Sequence, residues 1–139
     1  MDTPLPVYII GLRGLLNLIA LLLIGVSLLW NLPLLVREPH ARQLRFFRFV
    51  AGFAVAAVVV ELLVRTLFMG GVSWLHAIYG LLAASILWFV SGLEPGGWFR
   101  KSLEKPPEQV GPYFFWASLV CLLLWWRFIE TGIARVPAQ

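Results

Sequence analysis

Apolar residues run in four long stretches, at about residues 7–30, 46–69, 74–93 and 112–133, separated by short polar segments. A bilayer core takes about 20 residues of helix at 1.5 Å each, and every stretch supplies that length. The pattern predicts an all-α integral membrane four-helix bundle, one four-span domain over residues 1–139. Pro33 and Pro39 discourage helix through residues 31–45. Gly70-Gly71 marks a tight turn, and residues 94–111 are polar and rich in Gly and Pro. The first six residues lack the basic lead of a secretory signal, and no small-residue cleavage site follows the apolar run. The first stretch is therefore read as a retained span.

Composition supports the bilayer as solvent. The chain is 60% hydrophobic and 13% charged, where a soluble domain carries about 25% charged residues. Charge distribution then predicts orientation. Arg37, Arg42, Arg45 and Arg48 attend the first connection, and Arg100, Lys101 and Lys105 the second, while the opposite side has only Arg135 outside the spans. By the positive-inside rule both loops are cytoplasmic and both termini outside, in a multi-pass protein of the cell inner (plasma) membrane. Trp30, Trp98 and Trp116 fit an inner aromatic belt, and Trp74, Trp125 and Trp126 an outer one. The net charge of +4 is not arranged as a basic helical face, so nucleic acid is not an expected partner. The expected partners are the lipid bilayer and either a second copy in a homodimer or a larger membrane complex. Cys121, the one cysteine, lies in an apolar run and reads as a small packing residue.

That orientation places the ionisable residues of the spans in one layer near the outer side. Arg13 and Asn17 lie one turn apart in the first span; Glu61 and Arg65 stand at i, i+4 in the second. His76 and Tyr79 open the third, and Arg127 and Glu130 close the fourth. Glu61 is deepest, roughly 12 Å below the interface at 1.5 Å per residue. An ionised group in hydrocarbon costs about 2.5–3.5 kcal/mol on insertion scales, so these groups should face one another. Glu61 most needs a partner, and Arg65 or Arg13 is the candidate. His76, Gly80 and Ala84 form a small-residue stripe that points His76 into the bundle. Gly80 leaves space beside the imidazole for a planar ligand or a close helix. His76 then reads in two ways: as a buried histidine bonded to Glu61, Glu130 or a carbonyl, or as a contact to haem iron or quinone. His40 sits at the other membrane side and cannot share one haem with it.

His76-Ala-Ile-Tyr79-Gly80 opening the third span and Arg127-Phe-Ile-Glu-Thr131-Gly132 closing the fourth resemble a group of small bacterial four-span proteins. In span arrangement that group is similar to four-helix b-type cytochrome domains. The resemblance covers about residues 72–132 and implies a haem b or quinone site on the outer side with His76 as ligand. The group's pattern often has a histidine in the first span, where this chain has Arg13 and Asn17. The cofactor-binding candidates are His76, Tyr79, Gly80, Arg13 and Arg127, within a polar layer of Asn17, Glu61, Arg65 and Glu130.

The expected function is a respiratory or electron-transport accessory. The alternative is a non-catalytic membrane subunit or assembly factor without cofactor. A small exporter using Glu61 is less favoured, because such exporters show weak charge bias. No G-x-S-x-G, G-x-x-x-x-G-K-[ST] or H-E-x-x-H motif occurs, so the chain is not read as an enzyme on its own.

Overall fold

The computed structural model describes residues 5–133, so Arg135 lies outside the described residues. Four helices carry the fold: α1 (Leu5–Asn31), α2 (Ala41–Phe68), α3 (Trp74–Ser91) and α4 (Gly111–Ile133). All four are long and apolar enough to cross a membrane, as expected of a multi-pass membrane protein. They run up and down in a ring. Each packs on its neighbours in sequence, and α4 closes onto α1.

The helices are turned as a lipid solvent requires. On α1 the buried positions are Asn17, Ala20, Ile24, Ser27 and Asn31, while Leu15, Leu18, Leu22, Val26 and Leu29 are exposed. The larger hydrocarbon thus faces outward and the small and polar residues face inward. Without a hydrophobic force between helices in lipid, close packing and interhelical hydrogen bonds hold such a seam. Ala51, Ala54 and Ala57 line the inner face of α2; Ala56 faces out. Cys121 is buried, its thiol donating to the Ala83 carbonyl, and it serves as a small packing residue.

Helix α2 begins at Ala41, about five residues before the apolar run does. His40 starts it, with Gln43 accepting from the His40 amide at 2.9 Å and donating to the Trp30 carbonyl at 3.0 Å. Arg42 and Arg45 therefore stand on the helix and not in a loop. Pro33 lies in a 3-10 turn, Leu32–Leu35, directly after α1. The connections at this end are tied together. Glu38 accepts from the Val110 and Gly111 amides at the start of α4, and Arg48 pairs with Glu94. Between α2 and α3 the chain reverses through Gly70 and Gly71 at φ 86° and 126°, a conformation L side chains seldom adopt.

Trp125 is a correction to the belt pattern. It is fully buried and donates from Nε1 to the Asn17 carbonyl at 2.9 Å. Its position continues the inward stripe Phe114, Ser118, Cys121, Trp125 and Phe128, and that helical period decides its facing. Trp74 and Trp126 are exposed, as are Trp30, Trp98 and Trp116.

At Gly80, α3 and α4 pack closely. A Cβ there would lie 2.5 Å from the Phe128 ring. Gly80→Ala is expected to destabilise the bundle by about 1–3 kcal/mol, read as a lower Tm of the detergent-purified protein, whereas Gly52→Ala, where a Cβ meets nothing within 4 Å, should leave Tm nearly unchanged.

Candidate functional site

One carboxylate gathers the polar residues at the end of the bundle where α2 and α4 finish and α3 begins. Glu61 has no exposed surface. Its Oε1 accepts from Arg13 Nη1 at 2.9 Å and Asn17 Nδ2 at 2.8 Å, both from α1. Its Oε2 meets Arg65 Nε from its own helix and His76 Nε2 of α3 at 2.6 Å. Helix α4 joins through these partners. Arg65 Nη2 donates to the Gly132 carbonyl at 3.1 Å, and His76 Nδ1 lies 2.9 Å from Thr131 Oγ1. All four helices meet at this group.

Local sequence sets the geometry. Asn17 follows Arg13 by one turn, and Arg65 follows Glu61 by one turn, so each pair shares a face. Ser73 caps α3 by accepting from the His76 amide at 3.2 Å, which fixes the helix start and hence the angle at which His76 points. The imidazole stacks on Phe128 at 4.4 Å and an interplanar angle of 7°. Phe128 occupies the gap left by Gly80, so a close helix, and not a planar ligand, uses that space.

The layer inferred from depth divides in two by facing. Arg13, Asn17, Glu61, Arg65 and His76 come together. Arg127 and Glu130 do not join them. They pair with each other at 2.8 Å, Arg127 exposed and Glu130 half-buried, and Arg127 lies over the Tyr79 ring at 5.7 Å. Two further members, Thr131 and Gly132, join the site beyond the candidates that the sequence singles out. Both stand in the motif that closes the fourth span, which was the available signal. A Cβ on Gly132 would lie 2.7 Å from Arg65 Nη2 and 2.9 Å from His76 Cε1. Only a glycine lets the end of α4 pass this close.

A pocket of about 320 Å³ adjoins the cluster, with Leu18, Met69 and Ile129 as apolar wall and Arg13, Asn17, Glu61, Arg65 and His76 as polar wall. Among the described residues, Asn17 Oδ1 and Arg13 Nε are buried with no hydrogen-bond partner. A larger cleft of about 530 Å³, bordered by Ile86, Val90, Tyr113 and Trp116, is almost wholly apolar and lies on the outside of α3 and α4. It suits lipid chains, not chemistry.

The donor set does not fit a haem held through His76. Iron needs a free imidazole lone pair, yet both ring nitrogens are engaged and one ring face is covered by Phe128. Among the described residues no group of three or more His, Cys, Asp or Glu side chains is placed to hold a metal ion. No protein-family model, curated protein or solved structure matches this chain.

Removing one partner of a buried ion pair costs about 3–5 kcal/mol, because it strands the other charge. Glu61→Leu strands Arg13, Arg65 and His76 and is expected to abolish accumulation of folded protein in the membrane. The combined change Arg13→Met, Glu61→Leu, Arg65→Met, His76→Phe should restore much of it, and chemical unfolding in detergent measures that non-additivity. Gly132→Ala should lower stability by about 1–3 kcal/mol through displacement of Arg65 and His76.

Proposed function

We propose that this protein is a small accessory of membrane electron transport that holds the oxygen-bearing ring of a lipid-soluble quinone in the Glu61 pocket. The observation that carries the reading is the imbalance of hydrogen-bonding groups around that pocket. A guanidinium offers five N–H donors. Among the described residues Arg13 commits one of its donors and Arg65 two. On the acceptor side Asn17 Oδ1 is buried without a donor. In hydrocarbon such groups are costly to leave unpaired. A quinone oxygen accepts, and its reduced hydroxyl also donates, so the pair of redox states answers both needs. Leu18, Met69 and Ile129 offer the apolar ring contact, and Leu18 is exposed at the bundle surface where a lipid tail would leave.

The cationic loops favour a cytoplasmic location for both connections, which puts the pocket near the outer side of the inner membrane. Cysteines placed singly at positions 38 and 104, in a Cys121→Ser background, should react with an impermeant maleimide only after the membrane is opened. Labelling of intact cells at either position would reverse the orientation.

A second reading, a non-catalytic membrane subunit without cofactor, is favoured by one observation. Glu61 already receives donors from Arg13, Asn17, Arg65 and His76, as a purely structural clamp would. Gly14 separates the two readings. It lines the pocket, and a Cβ there meets nothing within 4 Å, so Gly14→Leu fills the pocket while leaving the clamp intact. Quinone extracted from the purified wild-type protein should exceed its share in the surrounding lipid several-fold, and Gly14→Leu should reduce it to that share with Tm unchanged. Wild-type content equal to the lipid background would leave the structural reading standing.

A further inference from the structure

The Thr131 hydroxyl has one proton to give and three neighbours at hydrogen-bond distance. Its Oγ1 lies 2.9 Å from the Arg127 carbonyl, 3.0 Å from the Phe128 carbonyl and 2.9 Å from His76 Nδ1. Carbonyl oxygens only accept. Were the proton directed at Nδ1, two carbonyl oxygens would face hydroxyl lone pairs at these distances with no hydrogen between. Threonine on a helix ordinarily gives its proton back to the preceding turn, and here that satisfies the geometry. Nδ1 must then carry a proton of its own and donate to Thr131. On the far side of the ring, Nε2 lies 2.6 Å from Glu61 Oε2, an oxygen that also receives Arg65. A bare Nε2 lone pair against that carboxylate would be repelled, so Nε2 carries a proton too.

We infer that His76 is held as an imidazolium and that the Glu61 pocket is an oxyanion site. Three cations, Arg13, Arg65 and His76, stand against one carboxylate, Glu61, which leaves two net positive charges on the polar wall. Among the described residues no other acid lines the pocket. Glu130, the nearest alternative by sequence, is paired with Arg127 and half-buried outside the pocket. A doubly positive wall inside a low-dielectric slab calls for a counter-charge, and a head group can bring it. The inference rests on the proposed ligand-holding role of the pocket and narrows it. The ring it takes carries a deprotonated oxygen, which Arg13 and Arg65 are placed to receive, in preference to a neutral ring of the same shape.

Two measurements test this separately. His40→Asn keeps a good helix cap and leaves His76 as the sole histidine. With a non-histidine affinity tag and ¹⁵N-histidine labelling in lipid at neutral pH, both ring nitrogens should resonate as N–H. One unprotonated nitrogen would overturn the imidazolium and the charge count with it. The ligand preference is read with 2-hydroxy-1,4-naphthoquinone, an anion at neutral pH, against neutral 1,4-naphthoquinone, both titrated into the full chain in nanodiscs. The anion should bind about tenfold or more tightly, and Gly14→Leu should weaken it. Equal affinity would overturn the oxyanion assignment while leaving quinone holding intact. Binding of neither probe would remove the ligand-holding role and the oxyanion assignment together, with the ring-nitrogen signals still deciding the charge of His76.

Discussion

A carboxylate with no exposed surface, set among helices long enough to span hydrocarbon, has to be met by donors from every element that packs on it. Glu61 meets that demand with Arg13 and Asn17 from α1, Arg65 from α2 and His76 from α3, and the last two pass the link on to α4 at Gly132 and Thr131. Charge-assisted hydrogen bonds are worth about 1.5–3 kcal/mol each, and several together offset the transfer of one ion from water. The geometric demands on the rest of the bundle follow from this. Gly132 must be small for α4 to come within reach of Arg65, and Ser73 must cap α3 so that the imidazole arrives from the correct side. Gly80 must be bare so that Phe128 can cover the ring.

The opposite end of the bundle is held differently. Ser27, Asn31 and Ser118 form a buried neutral cluster between α1 and α4, with Asn31 Nδ2 3.1 Å from each serine hydroxyl. Neutral groups of this kind cost less to bury than ions and give weaker electrostatic pull. Between α1 and α4 the molecule thus has one buried cluster of uncharged side chains and one built around charge, and the pocket of about 320 Å³ adjoins the charged one.

Much of this was legible in the sequence, and the reasons for the gaps are specific. Run length and apolarity identify four helices, because a bilayer imposes a length that few soluble elements share. Helix α2 starts ahead of its apolar run because apolarity ends at the interface while the helix continues beyond it on Ala41, Arg42 and Arg45. Counting residues from the interface put the ionisable groups at one depth, and Glu61 did find Arg13 and Arg65. Depth does not give facing, however. Arg127 and Glu130 share the level of the cluster but project from the outside of α4. Level alone puts Trp125 in a belt, but its period with Cys121 and Phe128 turns it inward. Thr131 acts through one hydroxyl, and no composition or spacing rule marks such a residue beyond its place in a short motif.

The pairing of Glu61 with a base on its own helix also bears on how the protein is made. A multi-pass chain is released from the ribosome in order, and its second span meets the bilayer before the third exists to bring His76. At that stage Arg65, one turn further along α2, already neutralises the acid, and Arg13 and Asn17 of the first span precede it. The two later helices therefore dock on a charge that is already matched. The most demanding residue in the chain crosses into lipid with its escort beside it, and biosynthetic order and final architecture place no conflicting demands on the same side chain.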